Sequence, residues 1–353
     1  MSLPPIGRRA FVADAAGGLL LCTLAGKQFV LDKPADIDKL AAEVKVPPKV
    51  KAAKEKQAQQ ATQGEVVLAS SQKKATGTEY WIQAEQVKWN IVPTGRDQMM
   101  GKRVPGKTKF TAYAYRAYSP NFAAALGPAT IPGPLIEANV GETITVNFRN
   151  QLASPVTMHP HGVQYSQDQD GAYKGKYTDP GGFVQQGDQV TYTWEAIPES
   201  EGAWFYHDHG PMDPLPLYKG LLGPMIIRDP NKPQPDKEFF SAFHSFQPAA
   251  TGLDRPFYCL NGYSYAGNTP TLRANVGDDV AFHVYALDDN FHTFHLHGHR
   301  WPDESGKIID NVTLGPADVI TARFTEDNPG RWFYHCHVFT HLHQGMNGWY
   351  IVE

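Results

Sequence analysis

The sequence predicts an all-β protein made of two consecutive Greek-key β-sandwich domains, and three observations carry that expectation. First, 353 residues are enough for about two domains, each with its own core. Second, glycine (32) and proline (28) are plentiful and aromatics reach 12%, with short runs rich in Val, Thr, Tyr and Phe; this suits strands separated by turns. Third, the chain repeats itself. LIEANVGETITVNFRN (135–150) returns as TLRANVGDDVAFHVYA (271–286), so that Asn139 maps to Asn275, His159 to His295, His161 to His297 and Gly162 to Gly298. WFYHDH (204–209) returns as WFYHCH (332–337), and GPMII (223–227) as GWYIV (348–352). One domain is therefore present twice, over 78–230 and 231–353. Inside each copy, alternation such as Ile144-Thr145-Val146-Asn147-Phe148 has the period of a strand with one buried face, and Val-Gly-Glu or Val-Gly-Asp marks the turns.

The residues before the repeat have a different character. GRRAFVADAAGGLLLCTLAG, within residues 1–26, has a twin arginine, Arg8–Arg9, followed by Phe11 and a short, weakly apolar stretch interrupted by Asp14. The pattern resembles a twin-arginine export signal, with Thr23-Leu24-Ala25 as the best cleavage candidate, and implies a periplasmic or extracellular protein. It falls short of a membrane span, which needs about 20 apolar residues, and no other segment reaches that length. Residues 27–77 are rich in Lys, Ala and Gln with little to bury, and read as an exposed arm. A net charge of −4 gives no reason to expect a nucleic-acid partner. The cysteines Cys22, Cys259 and Cys336 form no disulfide framework.

The histidines point to metal. Fourteen scattered at random would give roughly half an H-x-H pair by simple counting. The chain has six: 159/161, 207/209, 295/297, 297/299, 335/337 and 341/343. On a strand, residues i and i+2 face the same way, so both imidazoles can approach one ion. Imidazole suits copper, zinc, iron and nickel alike, and Cys336 discriminates among them. One thiolate with two histidines and a distant methionine is the ligand set of a blue-copper site; Cys336, His341 and Met346 lie on one loop, and His292 arrives from the other half of the domain. Zinc would more often draw on further cysteines or a carboxylate.

HPHG (159–162), HDH (207–209), HTFHLHG (292–298) and HCHVFTHLHQGM (335–346) together resemble the four copper-binding motifs of the multicopper oxidases, in the family's order. The length, with cysteine in the second domain alone, is most similar to the bacterial two-domain (small) laccases. The resemblance implies cupredoxin-like domains and four coppers per subunit. It assigns His292, Cys336, His341 and Met346 to a type 1 copper and His159 and His295 to a type 2 copper. His161, His207, His209, His297, His335 and His337 would hold a type 3 pair. His244, His283, His299 and His343 are left for supporting roles. In the first domain Val156 stands in the place of His292 and Asp208 in that of Cys336, so no type 1 copper is expected there.

By the same resemblance, phenols and aromatic amines would give up single electrons at the exposed edge of His292 or His341, and dioxygen would be reduced to water at the cluster. Asp170 would relay protons and Tyr165 could supply a redox-active phenol; a turn before Gly171 is the plain reading of Asp170. Half the cluster ligands sit on each domain, and small laccases join them between subunits, which implies a homotrimer with copper clusters at its interfaces. An intrachain cluster is the alternative. Three other activities compete: a metallo-oxidase of Fe(II) or Cu(I), with Asp288 and Asp289 as docking carboxylates or simply as turn residues; an electron carrier, which would need none of the cluster histidines; and a copper nitrite reductase, which would place the blue copper in the first domain.

Overall fold

The computed structural model describes residues 20–24, 27–31, 72–74, 77–172, 182–210 and 215–353. The chain divides into two compact units, 1–59 and 60–353. Within the first, Leu20–Leu24 pairs antiparallel with Lys27–Leu31. The twin arginine and most of the arm lie outside the described residues.

The second unit is nearly all β and contains two sandwiches. In the first, one sheet runs His159–Pro160, Gly202–His207, Leu222–Arg228, Ile136–Asn139. The facing sheet runs Gln189–Glu195, Thr143–Asn150, Gly77–Asn90, Gln72–Lys74, with Lys109–Tyr118 also paired to Gly77–Asn90. The sheet therefore begins at Gln72, inside the segment expected to be an exposed arm, because Gln72–Lys74 folds back on Gly77–Asn90 as a short edge strand. Thr143–Asn150 alternates buried and part-buried residues as its sequence pattern requires, sending Ile144, Val146 and Phe148 into the core beside Tyr80, Tyr192, Trp194 and Tyr206.

The second sandwich repeats this plan. Lys237–Phe246, Phe257–Leu260, Asp279–Ala286 and Val319–Thr325 form one sheet; Thr271–Ala274, Asn347–Val352, Gly330–Cys336, His292–Leu296 and Asn311–Leu314 form the other. Both domains pair their last strand in parallel with an early one, Leu222–Arg228 with Ile136–Asn139 and Asn347–Val352 with Thr271–Ala274. The facing sheets also hold one parallel pair each, Gly77–Asn90 with Thr143–Asn150 and Lys237–Phe246 with Asp279–Ala286, so the two domains share one topology.

Two further apolar clusters bridge the domains. Trp89, Ile91 and Phe110 of the first meet Phe246, Leu253 and Phe257 of the second, and Phe205, Leu222 and Ile226 meet Phe240, Tyr285 and Leu287. Each such side chain contributes about 1.5–3 kcal/mol when fully buried, so the junction is a continuation of the core rather than a loose hinge. Arg228 reinforces it, donating to Glu137 at 2.6 Å and to Glu238 at 2.7 Å.

Candidate metal centres

Strand register gathers the ligands. His292–Leu296 pairs with Gly330–Cys336 so that Phe294 faces Cys336 and His295 faces His335; in the first domain His159 faces His207. The pairs His159/His161 and His295/His297 each end at a left-handed glycine, Gly162 (φ 77°) and Gly298 (φ 75°). A Cβ there would strike Trp204 at 2.0 Å or Trp332 at 2.8 Å, so glycine is needed to turn the chain under the tryptophan.

The Cys336 set is compact and buried. Sγ lies 3.8 Å from His292 Nδ1 and 3.6 Å from His341 Nδ1, and the Thr293 N–H donates to it at 3.4 Å. Donors about 2.0–2.3 Å from one shared metal are themselves separated by distances of this order, so the three atoms fit a single ion. Met346 is wholly buried, and its carbonyl accepts the Cys336 N–H at 3.1 Å, which brings the methionine back beside the thiol. Burial alone would push the Cys336 thiol up, but hydrogen bonds from His292, His341 and Thr293 outweigh it and bring the pKa down to about 6. A soft thiolate at neutral pH with two imidazoles suits copper.

The remaining histidines form two half-sites, one per domain. His161 Nε2 and His207 Nε2 are 3.1 Å apart, and His297 Nε2 and His335 Nε2 are 3.0 Å apart. His159 joins the first group and His295 the second, with all donor atoms of each group within 4.8 Å of one another. The opposite ring nitrogens are tied to backbone: His207 Nδ1 donates to the Asp208 carbonyl and His335 Nδ1 to that of Cys336, both at 2.9 Å. His159 Nδ1 and His295 Nδ1 likewise donate to the carbonyls of Asp170 (2.7 Å) and Asp310 (2.6 Å). This fixes the tautomer, leaving Nε2 lone pairs that converge, an arrangement a shared cation resolves. Burial, reinforced by neighbouring imidazoles, lowers His161 to about 4, His207 to about 3 and His335 to about 4, so these rings are neutral and ready to ligate at physiological pH.

His209 and His337 stand beside their half-sites with exposed side chains, their rings 5.0 Å from His159 and 5.4 Å from His295. Among the described residues, no single cluster joins the two half-sites within one chain. Asp170 does reach the first: its carboxylate is 3.1 Å from His159 Nδ1, and Tyr165 hydrogen-bonds to it. The four spare histidines all sit outside the ligand groups. His299 binds Glu326 at 2.9 Å, His283 binds Glu238 at 3.1 Å, His244 accepts the Gly262 N–H, and His343 is exposed.

One expectation is corrected. Neither His292 nor His341, the imidazoles expected to pass electrons in, offers an exposed edge. His292 is 0% exposed, its outer nitrogen hydrogen-bonded to Asp288 at 3.0 Å, and His341 is 5% exposed beneath the ring of Tyr258. Asp288 is itself buried and also accepts the Asn290 N–H, so it is both a turn residue and a partner of His292. No local motif announced Tyr258 or Asp310, since each meets its histidine through tertiary folding; Asp288, four residues before His292, was legible in the sequence as a turn or docking carboxylate, and its bond to the ring was not.

Sequence models of the multicopper oxidase family match residues 123–232 and 229–353. Among curated proteins, the chain is 34% identical over 242 residues to a probable nitrite reductase-hydroxylamine oxidoreductase fusion protein of Kuenenia stuttgartiensis, covering 64% of this chain and 28% of that one. It is 26% identical over 343 residues to the human ferroxidase HEPHL1, covering 78% of this chain and 29% of that one. The chain thus spans under a third of the length of these relatives. A crystal structure of a multicopper oxidase superposes with a TM-score of 0.65 at 22% identity, covering 83% of this chain and 96% of that one.

Proposed function

The chain belongs to the multicopper oxidase family, and from that premise we propose that it is laccase-like, coupling one-electron oxidation of phenols and aromatic amines to reduction of dioxygen to water. Copper held by these residues would supply one-electron chemistry at the Cys336 set and dioxygen reduction at the histidine cluster. The observation that carries the reading is the placement of Cys336 and its neighbour. Sγ faces His292 and His341, whereas the adjoining His335 ring faces His297. One peptide linkage therefore joins the electron-accepting set to the oxygen-reducing set. Val156 and Asp208 remove the blue site from the first domain, which weighs against nitrite reductase.

The two half-sites would meet between subunits of a homotrimer. Exposed His209, His297 and His337 leave each half-site open on one side, and Phe339, 65% exposed, packs beside His337 where a neighbouring chain would cover it. Asp170, hydrogen-bonded to Tyr165 and beside His159, is positioned to pass protons toward the first half-site, with Tyr165 as a candidate redox-active phenol. Export by the twin-arginine route completes the proposal and rests on Arg8–Arg9.

The ferroxidase relative makes Fe(II) the competing substrate. Oxygen uptake with 2,6-dimethoxyphenol and with Fe(II) decides between them: the proposal expects the higher kcat/KM for the phenol, and a preference for Fe(II) would overturn it. Mixing a His161→Ala chain with a His297→Ala chain tests assembly. Regained oxygen uptake supports intersubunit clusters, and none contradicts them.

A further inference from the structure

Because His292 is closed off by Asp288, and His341 by Tyr258, an external donor must reach the Cys336 set through something else. Tyr258 is the side chain so placed. Its ring stacks on His341 with centroids 3.9 Å apart and planes 18° from parallel, while it remains partly exposed on the strand Phe257–Leu260. Its other surroundings belong to a cavity of about 560 Å³, within the range that encloses a small organic molecule. Both domains build that cavity. Leu215 and Tyr218 come from the short helix Leu215–Tyr218 of the first, and Ala249 and Asp289 from the second. The Tyr218 hydroxyl donates to the Asp289 carboxylate in a short hydrogen bond, fixing a negative group at the wall.

We propose that this cavity binds a neutral or amino-bearing single-ring aromatic donor against Tyr258, and that the Tyr258 ring is the route by which its electron reaches His341. The inference rests on the laccase-like reading above and deepens it. The donor loses one electron and one proton, ArOH going to ArO•. The electron would leave through the stacked rings toward His341, where copper(II) held by that residue would be the one-electron oxidant, and the proton would go to Asp289 or to water. Stacking supplies overlap without Tyr258 itself being oxidised. The carboxylate of Asp289 accepts a hydrogen bond from a phenol or aniline and repels a benzoate. No other carboxylate lines the cavity among the described residues, so it is a poor cradle for a divalent cation.

The test uses copper-loaded protein and 4-cyanophenol, a phenol too electron-poor to be readily oxidised, with binding followed calorimetrically. Ala249→Trp fills the cavity and Tyr258→Leu removes the stacking ring. We expect each to weaken binding by about five- to tenfold, the worth of an aromatic contact, with the blue absorption unchanged. Mixed anaerobically with 2,6-dimethoxyphenol, Tyr258→Leu should also bleach the blue absorption more slowly than wild type at saturating donor. Unaltered binding in both variants overturns the cavity, and unaltered bleaching in Tyr258→Leu overturns the electron route. If wild type binds 4-cyanophenol yet takes up no oxygen with any phenol, the oxidase reading fails and the cavity stands. Undiminished phenol oxidation in both variants leaves the oxidase reading and removes this one.

Discussion

The two domains share one architecture, and their equivalent positions show how the residues around Cys336 are replaced in the first domain without loss of the fold. In the second domain the Thr293 N–H donates to Cys336 Sγ. In the first, the equivalent Thr157 N–H donates to Asp208 Oδ1 at 2.7 Å, and Gly210 N–H donates to the other oxygen at 3.2 Å. The threonine hydroxyls behave alike too, accepting from His209 N–H and His337 N–H. Asp208 thus takes over the thiolate's backbone hydrogen bonds, and the cluster histidines on either side keep their positions. Val156, wholly buried, fills the space of His292 as core. A carboxylate satisfies buried donors as well as a thiolate does, but without its partners it builds no blue site.

The domains differ in the opposite sense beneath the cluster. The second buries His299, Glu326 and Tyr350, with Glu326 accepting from His299, from Tyr350 and from the Asn328 N–H. Corresponding positions in the first are apolar: Val163 follows Gly162, Ala196 accepts the Gly141 N–H as Glu326 accepts that of Gly277, and Met225 pairs with Trp204 as Tyr350 does with Trp332. His299 also donates to the His297 carbonyl at 2.8 Å, so polar bonding holds that ligand. His161 is held by packing on Phe205, ring centroids 4.2 Å apart.

The sharpest way to break this comparison is at the position that distinguishes the copies. Cys336→Ser should abolish the blue absorption and take oxygen uptake to background, whereas Asp208→Asn should leave the blue absorption intact. A blue signal surviving in Cys336→Ser would contradict Cys336 as the thiolate of the blue site. Next in size, Glu326→Ala should lower stability by about 3–5 kcal/mol in denaturant titration, because it strands a buried imidazole and phenol. Met225→Leu, at the apolar counterpart of Tyr350, should cost under about 1.5 kcal/mol. Asp208→Ala should cost about 1–3 kcal/mol by leaving the Thr157 and Gly210 amides unpaired.

A further effect is on acid stability. In the copper-free chain, His161, His207 and His335 have folded pKa values of about 4, 3 and 4, below the unfolded value of about 6.5. The unfolded state therefore binds protons first. These groups leave stability untouched above pH about 6.5 and erode it as the pH falls toward 4. The melting temperature should drop across that window, and replacing His207 by Gln should flatten the drop more than replacing His335, whose pKa is less depressed.

Sequence alone exposed the duplication and the ligand motifs, because strand periodicity and H-x-H spacing are local properties. The alternation in Thr143–Asn150 became the burial pattern itself. What stayed hidden depends on residues distant in sequence. Tyr258 reaches His341, Glu326 reaches His299 and Asp310 reaches His295 only after the sheets pair. The edge strand Gln72–Lys74 was missed because its lysine-rich composition signals solvent, and an edge strand tolerates that.

The central claim is that one copy holds a blue copper and both copies supply the remaining cluster. Copper per chain on fully loaded protein, read with its EPR and visible spectra, addresses this most directly. Four coppers per chain with a single blue signal is the predicted result. A single copper, or two blue signals, would contradict it.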